Sequence, residues 1–381
     1  MSTRRSIRLL LSGSTMDQQA GFSTPATKRR RQDTPGASGG GNKKAGQTKS
    51  SPSEETKVDE TSSMVIIPLP DDFSIAQTAC SYGYFLVPPN RWEPADKDGQ
   101  HGADMETFSR PLRFGERLQK AAHCVISQVG DRGSGNSELR VAVASKLTEA
   151  EKKDIRQQVV RMFQIDADMG SWYRLNEEAR QRGYGRLFRS PTLFEDMVKC
   201  ISACNIKFGG TIRMNKLLCE EFGHKKAFPT PEDLEGVQAD DLKERAKVGY
   251  RGDRIVRLAQ AFRDGSVDVA WLESPERTRE EVVGYVKNLH GFGDFAATNV
   301  AMLLSFYDQV PMDSETVRHF KDYHGVVTKN VKEVAPKVRQ QYEPYAPYQF
   351  LQYWFEMVKW YEKKRGKQME QWKANHFDGS S

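Results

Sequence analysis

Two hydrophobic periods divide this chain. Between residues 63 and 148, apolar and polar positions alternate over short stretches at 108–114, 122–126 and 139–143, and Gly- and Asp-rich turns separate them. A two-residue period with β-branched content predicts antiparallel strands with one face buried. Residues 63–67 open this region, 73–80 predict a short helix, and 84–87 predict an extended segment ended by Pro88 and Pro89. The expected result is one small α+β unit over 63–148.

Beyond Thr148 the apolar residues recur at helical spacing. Thr148-Glu149-Ala150-Glu151 has the pattern of a capping box for a helix through Phe163. Further helices are predicted over 167–183, from Pro191 to Cys204, and over 210–222. Thr230-Pro231 and Ser274-Pro275 each look like a capped helix start with proline in the first turn. Val282, Val283, Val286 and Leu289 line one face of a helix over 276–289, which Gly291 and Gly293 break; a second arm begins at Phe295. So short a link forces a hairpin, and the small Ala296, Ala297 and Ala301 let its arms approach closely. The aromatic run 350–361 predicts a last helix that buries against the domain. The fold class is therefore α+β, with an N-terminal antiparallel sheet subdomain (63–148), a mostly helical domain (149–360) and a charged C-terminal extension (361–381).

Charge refines this division. Residues 1–60 hold eleven Lys/Arg and six Asp/Glu, so that of the +6 net charge only about +1 belongs to the remainder. Bulk charge therefore gives no argument for nucleic acid; a local site has to supply it. Residues 1–62, rich in Ser, Thr, Gly, Gln and Lys, predict a disordered basic tail, and Lys28-Arg29-Arg30-Arg31 within it has the composition of a nuclear address. No apolar run approaches eighteen residues, so a membrane partner is not expected. The five cysteines form no CxxC pair, and together with the charged start of the chain they point to a reducing intracellular compartment. Cys200 and Cys204 are four apart, but two thiolates do not complete a zinc site.

The chemistry concentrates at the hairpin and just after it. Backbone amides at the start of a helix lack intrahelical partners, so residues 291–296 can hold a backbone phosphate without reading a base. About twenty residues on, Asp313 precedes a predicted helix over 316–320, which it or Ser314 can cap. A carboxylate there can also stabilise a cationic sugar or position water. His290 on the turn can touch phosphate but makes no dyad alone, and His319 reads as a packed or exposed helix residue rather than a base.

These segments together resemble the helix-hairpin-helix DNA glycosylase superfamily, in the branch of the 8-oxoguanine and bacterial 3-methyladenine enzymes. Leu289-His290-Gly291-Phe292-Gly293 is similar to the family's Leu-Pro-Gly-Val/Ile-Gly turn, with His290 in place of proline, and Pro311-Met312-Asp313 is similar to the segment bearing the essential Asp. Residues 188–206 and Gly249-Tyr250-Arg251 also follow the family, over a likeness spanning roughly 64–360. The resemblance implies a monomer acting on double-stranded DNA with a modified base. Asp313 would be catalytic, and Leu289, His290, Gly291, Phe292, Gly293, Phe295 and Ala296 would lie at the phosphate or the base. Cys204 and Asn205 would fill the gap left by a flipped nucleotide, while Arg251 and Arg254 would contact phosphate or carboxylates. No cofactor or metal is implied beyond a monovalent cation on the carbonyls of Val286, Leu289 and Gly291. Members that cleave through a Schiff base carry a lysine where this chain has Phe295, which implies a monofunctional, water-using enzyme. Two alternatives stay open: a noncatalytic DNA-binding protein on the same fold, and a protein-interaction module that uses the hairpin as a corner.

Overall fold

The structure, a computed structural model, describes residues 62–95 and 105–374. The basic tail and its Lys28–Arg31 stretch lie outside these residues. Strands β1 (Ser63–Pro68), β2 (Arg91–Glu93), β3 (Thr107–Phe114), β4 (Lys120–Val129) and β5 (Glu138–Val143) form one antiparallel sheet in the order β1-β5-β4-β3-β2. Alternation sets its register. Val65 and Ile67 pair with Val141 and Leu139 on the buried face, while Met64 and Ile66 face solvent.

Fourteen helices among the described residues make up most of the rest: α1 (Ile75–Ala79), α2 (Glu149–Phe163), α3 (Gly170–Leu175), α4 (Glu177–Arg182), α5 (Leu193–Ala203), α6 (Phe208–Phe222), α7 (Ala239–Arg245), α8 (Arg251–Arg263), α9 (Val269–Leu272), α10 (Arg279–Asn288), α11 (Asp294–Leu303), α12 (Ser314–Asp322), α13 (Val331–Tyr342) and α14 (Gln349–Arg365). The Thr148 box forms as read: its hydroxyl accepts from the Glu151 amide and the Glu151 carboxylate accepts from the Thr148 amide. Such a cap stabilises by about 1 kcal/mol.

Four expectations are corrected. Residues 83–86 form a 3-10 turn, not an extended segment; all four are buried, so no alternation marks them. The single helix expected over 167–183 is split at Asn176, whose side chain caps α4 by accepting from the Ala179 amide at 2.9 Å. Thr230 and Asp233 exchange the hydrogen bonds of a capping box and Asp233 also pairs with Arg113, yet no helix follows, because the chain turns at Gly236, which has φ +73°. The helix placed at Ser274-Pro275 begins instead at Arg279, under a Thr278–Glu281 box. At the C-terminal end, α14 runs past residue 360 and stops only where Gly366 takes a left-handed conformation.

Sheet and helices share one core. Phe108 of β3, Phe163 of α2 and Phe188 meet one another with ring centroids 5.1–5.6 Å apart. Trp354 of α14 donates to the Ser81 carbonyl at 2.8 Å. Arg110 of β3 makes a two-pronged ion pair with Glu195 of α5, which also holds Lys199, and all three are buried. The change at residue 148 is thus a change of architecture within one packed body. No described helix is long and apolar enough to cross a membrane.

Candidate nucleic-acid and catalytic site

Helices α10 and α11 pack against each other across the turn 289–293; Val282 and Val286 of the first and Ala296, Ala297, Val300 and Ala301 of the second are buried. Gly291 has φ +90°, and a Cβ there would sit 2.5 Å from Cγ of Arg254. Only glycine fits both the backbone and the neighbour. Gly293 is the N-cap of α11 and offers no side-chain acceptor; the first intrahelical bond runs from the Ala297 amide to the Gly293 carbonyl at 3.0 Å. The amides of Asp294, Phe295 and Ala296 precede that bond and have no intrahelical acceptor, the arrangement that lets a helix start accept an anion. Asp294 itself partly opposes one. Its exposed carboxylate lies in the first turn of α11, held 2.6 Å from Lys287 across the hairpin.

The start of α8 is tied to this turn. His290 Nε2 lies 2.8 Å from the Asp253 carboxylate, which Arg257, foremost, and then His290 hold below the usual carboxylate range. The Arg254 stem packs on Gly291, and its guanidinium lies over the Tyr250 ring, 4.8 Å from the centroid; Arg251 lies over the same ring at 4.6 Å. Tyr250 is 52% exposed and accepts from the Asn205 amide group at 3.3 Å.

Of the two residues expected to fill a gap in the duplex, only Asn205 is at the surface; it has φ +53°. Cys204 ends α5 buried, with its thiol turned to the Cys200 carbonyl at 3.3 Å. Arg251 is buried too and donates to the carbonyls of Cys204 and Val248, so it braces the loop instead of reaching outward. Tyr250 is the surface partner that sequence reasoning missed. An aromatic directly before an arginine-rich helix start was the available signal.

Asp313 is half-buried at the N-cap of α12. Its Oδ1 accepts from the amides of Glu315 (2.9 Å) and Thr316 (3.0 Å) and lies 3.3 Å from the Thr316 hydroxyl. Its Oδ2 is buried and has no hydrogen-bond partner. Burial is the largest influence on this carboxyl and outweighs the amide bonds, which pull the other way; the pKa is pushed up to about 6. One oxygen thus fixes the group while the other is left for something else.

A chain of contacts connects Asp313 to the hairpin. Thr316 Oγ1 lies 3.4 Å from the Tyr353 hydroxyl, Tyr353 packs on Phe350, and Phe350 stacks on Trp354. Trp354 meets Tyr82, whose hydroxyl donates to Asn299; the Asn299 amide group donates to the Phe295 carbonyl at 2.8 Å. Phe295 is partly buried and supplies no amine; Phe292 and Ala296 are buried in the hairpin core, while Leu289 is partly buried. The carbonyls of Val286 and Leu289 accept from the amides of Leu289 and Phe292, and each keeps a second lone pair for a cation. A cavity of about 380 Å³ lies elsewhere, lined by Arg110, Arg161, Phe194 and Phe228, and it touches neither Asp313 nor the hairpin.

The fold is that of the helix-hairpin-helix DNA glycosylases. MBOgg1, solved with a low-affinity DNA ligand, is similar over 82% of this chain and 98% of its own, at 19% identity and a TM-score of 0.55. The 8-oxoguanine glycosylase/lyase of Clostridium acetobutylicum is similar over 80% of this chain and 97% of its own (16% identity, TM-score 0.54). For the 3-methyladenine DNA glycosylase of Archaeoglobus fulgidus the shares are 77% and 96% (17% identity, TM-score 0.50). No family model matches the sequence, and no curated protein sequence does either.

Proposed function

We propose that this chain is a monofunctional DNA glycosylase of the nucleus, which hydrolyses the bond between deoxyribose and a modified base flipped out of duplex DNA. The observation that carries the reading is the divided carboxylate of Asp313: Oδ1 locked into a helix cap, Oδ2 buried and unpaired. The amides of 294–296 would hold one phosphate, and Asn205 with Tyr250 would occupy the space the base leaves. As the glycosidic bond breaks, its electron pair leaves with the base, and positive charge grows on the sugar where Oδ2 can stabilise it. Water then bonds to C1′ and gives up a proton, leaving an abasic site. The Clostridium neighbour is a glycosylase/lyase. This chain has Phe295 at the place the resemblance assigns to the lysine, and Lys287 is engaged by Asp294, which supports hydrolysis without strand cleavage.

The test is excision from a panel of duplexes carrying oxidised, alkylated and other altered bases, with and without alkali. Release of one base class, with strand breaks appearing only after alkali, is expected. Asp313→Asn should lower the single-turnover rate by roughly 10²–10⁴ while DNA binding persists. Binding with no excision across the panel would instead favour the noncatalytic DNA-binding reading, and an unchanged rate in Asp313→Asn would remove the mechanism.

A further inference from the structure

Behind Asp313, on the far part of α12, four side chains from three helical segments converge. His319 of α12, His324 just after it, and Glu356 of α14 bring their ligand atoms within 4.8 Å of one another. Tyr342, the last residue of α13, completes the group. His319 Nε2 lies 3.1 Å, His324 Nε2 3.0 Å and the Tyr342 hydroxyl 2.6 Å from the same oxygen, Oε2 of Glu356. The Tyr342 hydroxyl is also 3.3 Å from His319 Nε2 and 3.2 Å from His324 Nε2. His319, Tyr342 and Glu356 are buried, and the His324 side chain is 15% exposed.

Hydrogen bonding alone accounts for this cluster poorly. A carboxylate oxygen offers two lone pairs, yet three donors point at Oε2, and they crowd one another. The other oxygen, Oε1, takes the Gln352 amide group at 2.8 Å. Among the described residues no lysine or arginine pairs with Glu356, so its buried charge faces only imidazoles, a phenol and an amide. Four ligands about 2.0–2.1 Å from a zinc ion stand at the corners of a tetrahedron with edges of about 3.3 Å. Five of the six edges here are 2.6–3.3 Å. A cation at the centre would take one lone pair from each ligand and balance the carboxylate.

We propose that His319, His324, Glu356 and the Tyr342 oxygen form a site for a divalent transition metal ion of the zinc type, clamping α12 to α13 and α14. Two imidazoles and a carboxylate are a donor set such ions prefer. His319 Nδ1 has no hydrogen-bond partner, so the outer bond that tightens many zinc sites is missing and affinity should fall below that of sites with it. The ion would fix the helix that carries Asp313 and take no part in excision. The site stands whether or not the chain is a glycosylase.

The experiment uses the full-length protein, stripped with a chelator, dialysed and titrated with zinc chloride while stoichiometry and thermal unfolding are followed. One zinc per chain and a raised Tm are expected, with cobalt(II) in its place giving the strong visible absorption of a four-coordinate ion. His324→Gln keeps a donor to Glu356 and should fold, as circular dichroism can check, yet bind zinc at least about ten-fold more weakly. His224→Gln, at an exposed histidine on another surface, should bind as the unaltered chain does. The proposal is overturned if zinc leaves the Tm of the stripped protein unchanged, or if His324→Gln binds one zinc as tightly as the parent.

Discussion

In the proposed reaction a single carboxylate both caps α12 and steadies the sugar cation, and pH separates the two roles. Because the Asp313 pKa is pushed from 3.8 up to about 6, the folded state holds this proton more tightly than the unfolded chain. Stability from this group is therefore greatest below pH 4 and declines as pH rises through 6, by about 3 kcal/mol in all. Asn caps helices as well as Asp and does not ionise, so Asp313→Asn should unfold at higher temperature than the parent at pH 7 and at the same temperature near pH 3.5. Excision should need the ionised form, and its single-turnover rate should drop about ten-fold per pH unit below 6. Rates flat from pH 5 to 8 would mean that Asp313 does not titrate in the reaction. Asp294 sets a second expectation at this scale. Its charge sits where a phosphate would dock, so Asp294→Asn should tighten DNA binding by roughly 2–5-fold at low salt and by less at high salt. Equal affinities in a fluorescence-anisotropy titration would place the phosphate elsewhere.

At the scale of elements, the hairpin corner depends on one backbone conformation. Gly291→Ala would force a side chain into φ +90° and against the Arg254 stem, and should cost about 1–3 kcal/mol in urea unfolding. A neutral result would show that the turn can be rebuilt. The corner was legible in the sequence because it is local: a periodic apolar face, two glycines and a following alanine-rich arm lie within thirty residues. So was the Asp313 cap, and so was the Thr148 box. The burial of Cys204 was not, because Cys204 and Asn205 look equivalent until the end of α5 turns the thiol inward. Nor was the meeting of His319 with Glu356, which are 37 residues apart on helices whose relative rotation no local pattern encodes. The split at Asn176 shows the same limit in reverse: a side-chain acceptor stopped a helix that periodicity alone would have continued.

Across the whole molecule, the sheet and the helices are held together by charges as well as rings. Glu195 is buried between Arg110 of β3 and Lys199 of its own helix, and its pKa is lowered to about 2: burial, the largest influence, is outweighed by those two cations. Removing it in Glu195→Ala leaves two buried cations with no anion between them, and a loss of about 3–5 kcal/mol in chemical unfolding is expected. A loss under about 1 kcal/mol would mean that water reaches the pair. Arg254 joins parts of the molecule in a different way. One flank of this side chain abuts the glycine corner and its tip covers Tyr250, so the point that would anchor the sugar-phosphate chain and the point that would probe the helix stack share a single strut. On the proposed reading such an arrangement would work as a fixed caliper: wherever the corner settled on a strand, the nucleotide offered for inspection would lie a set number of steps away.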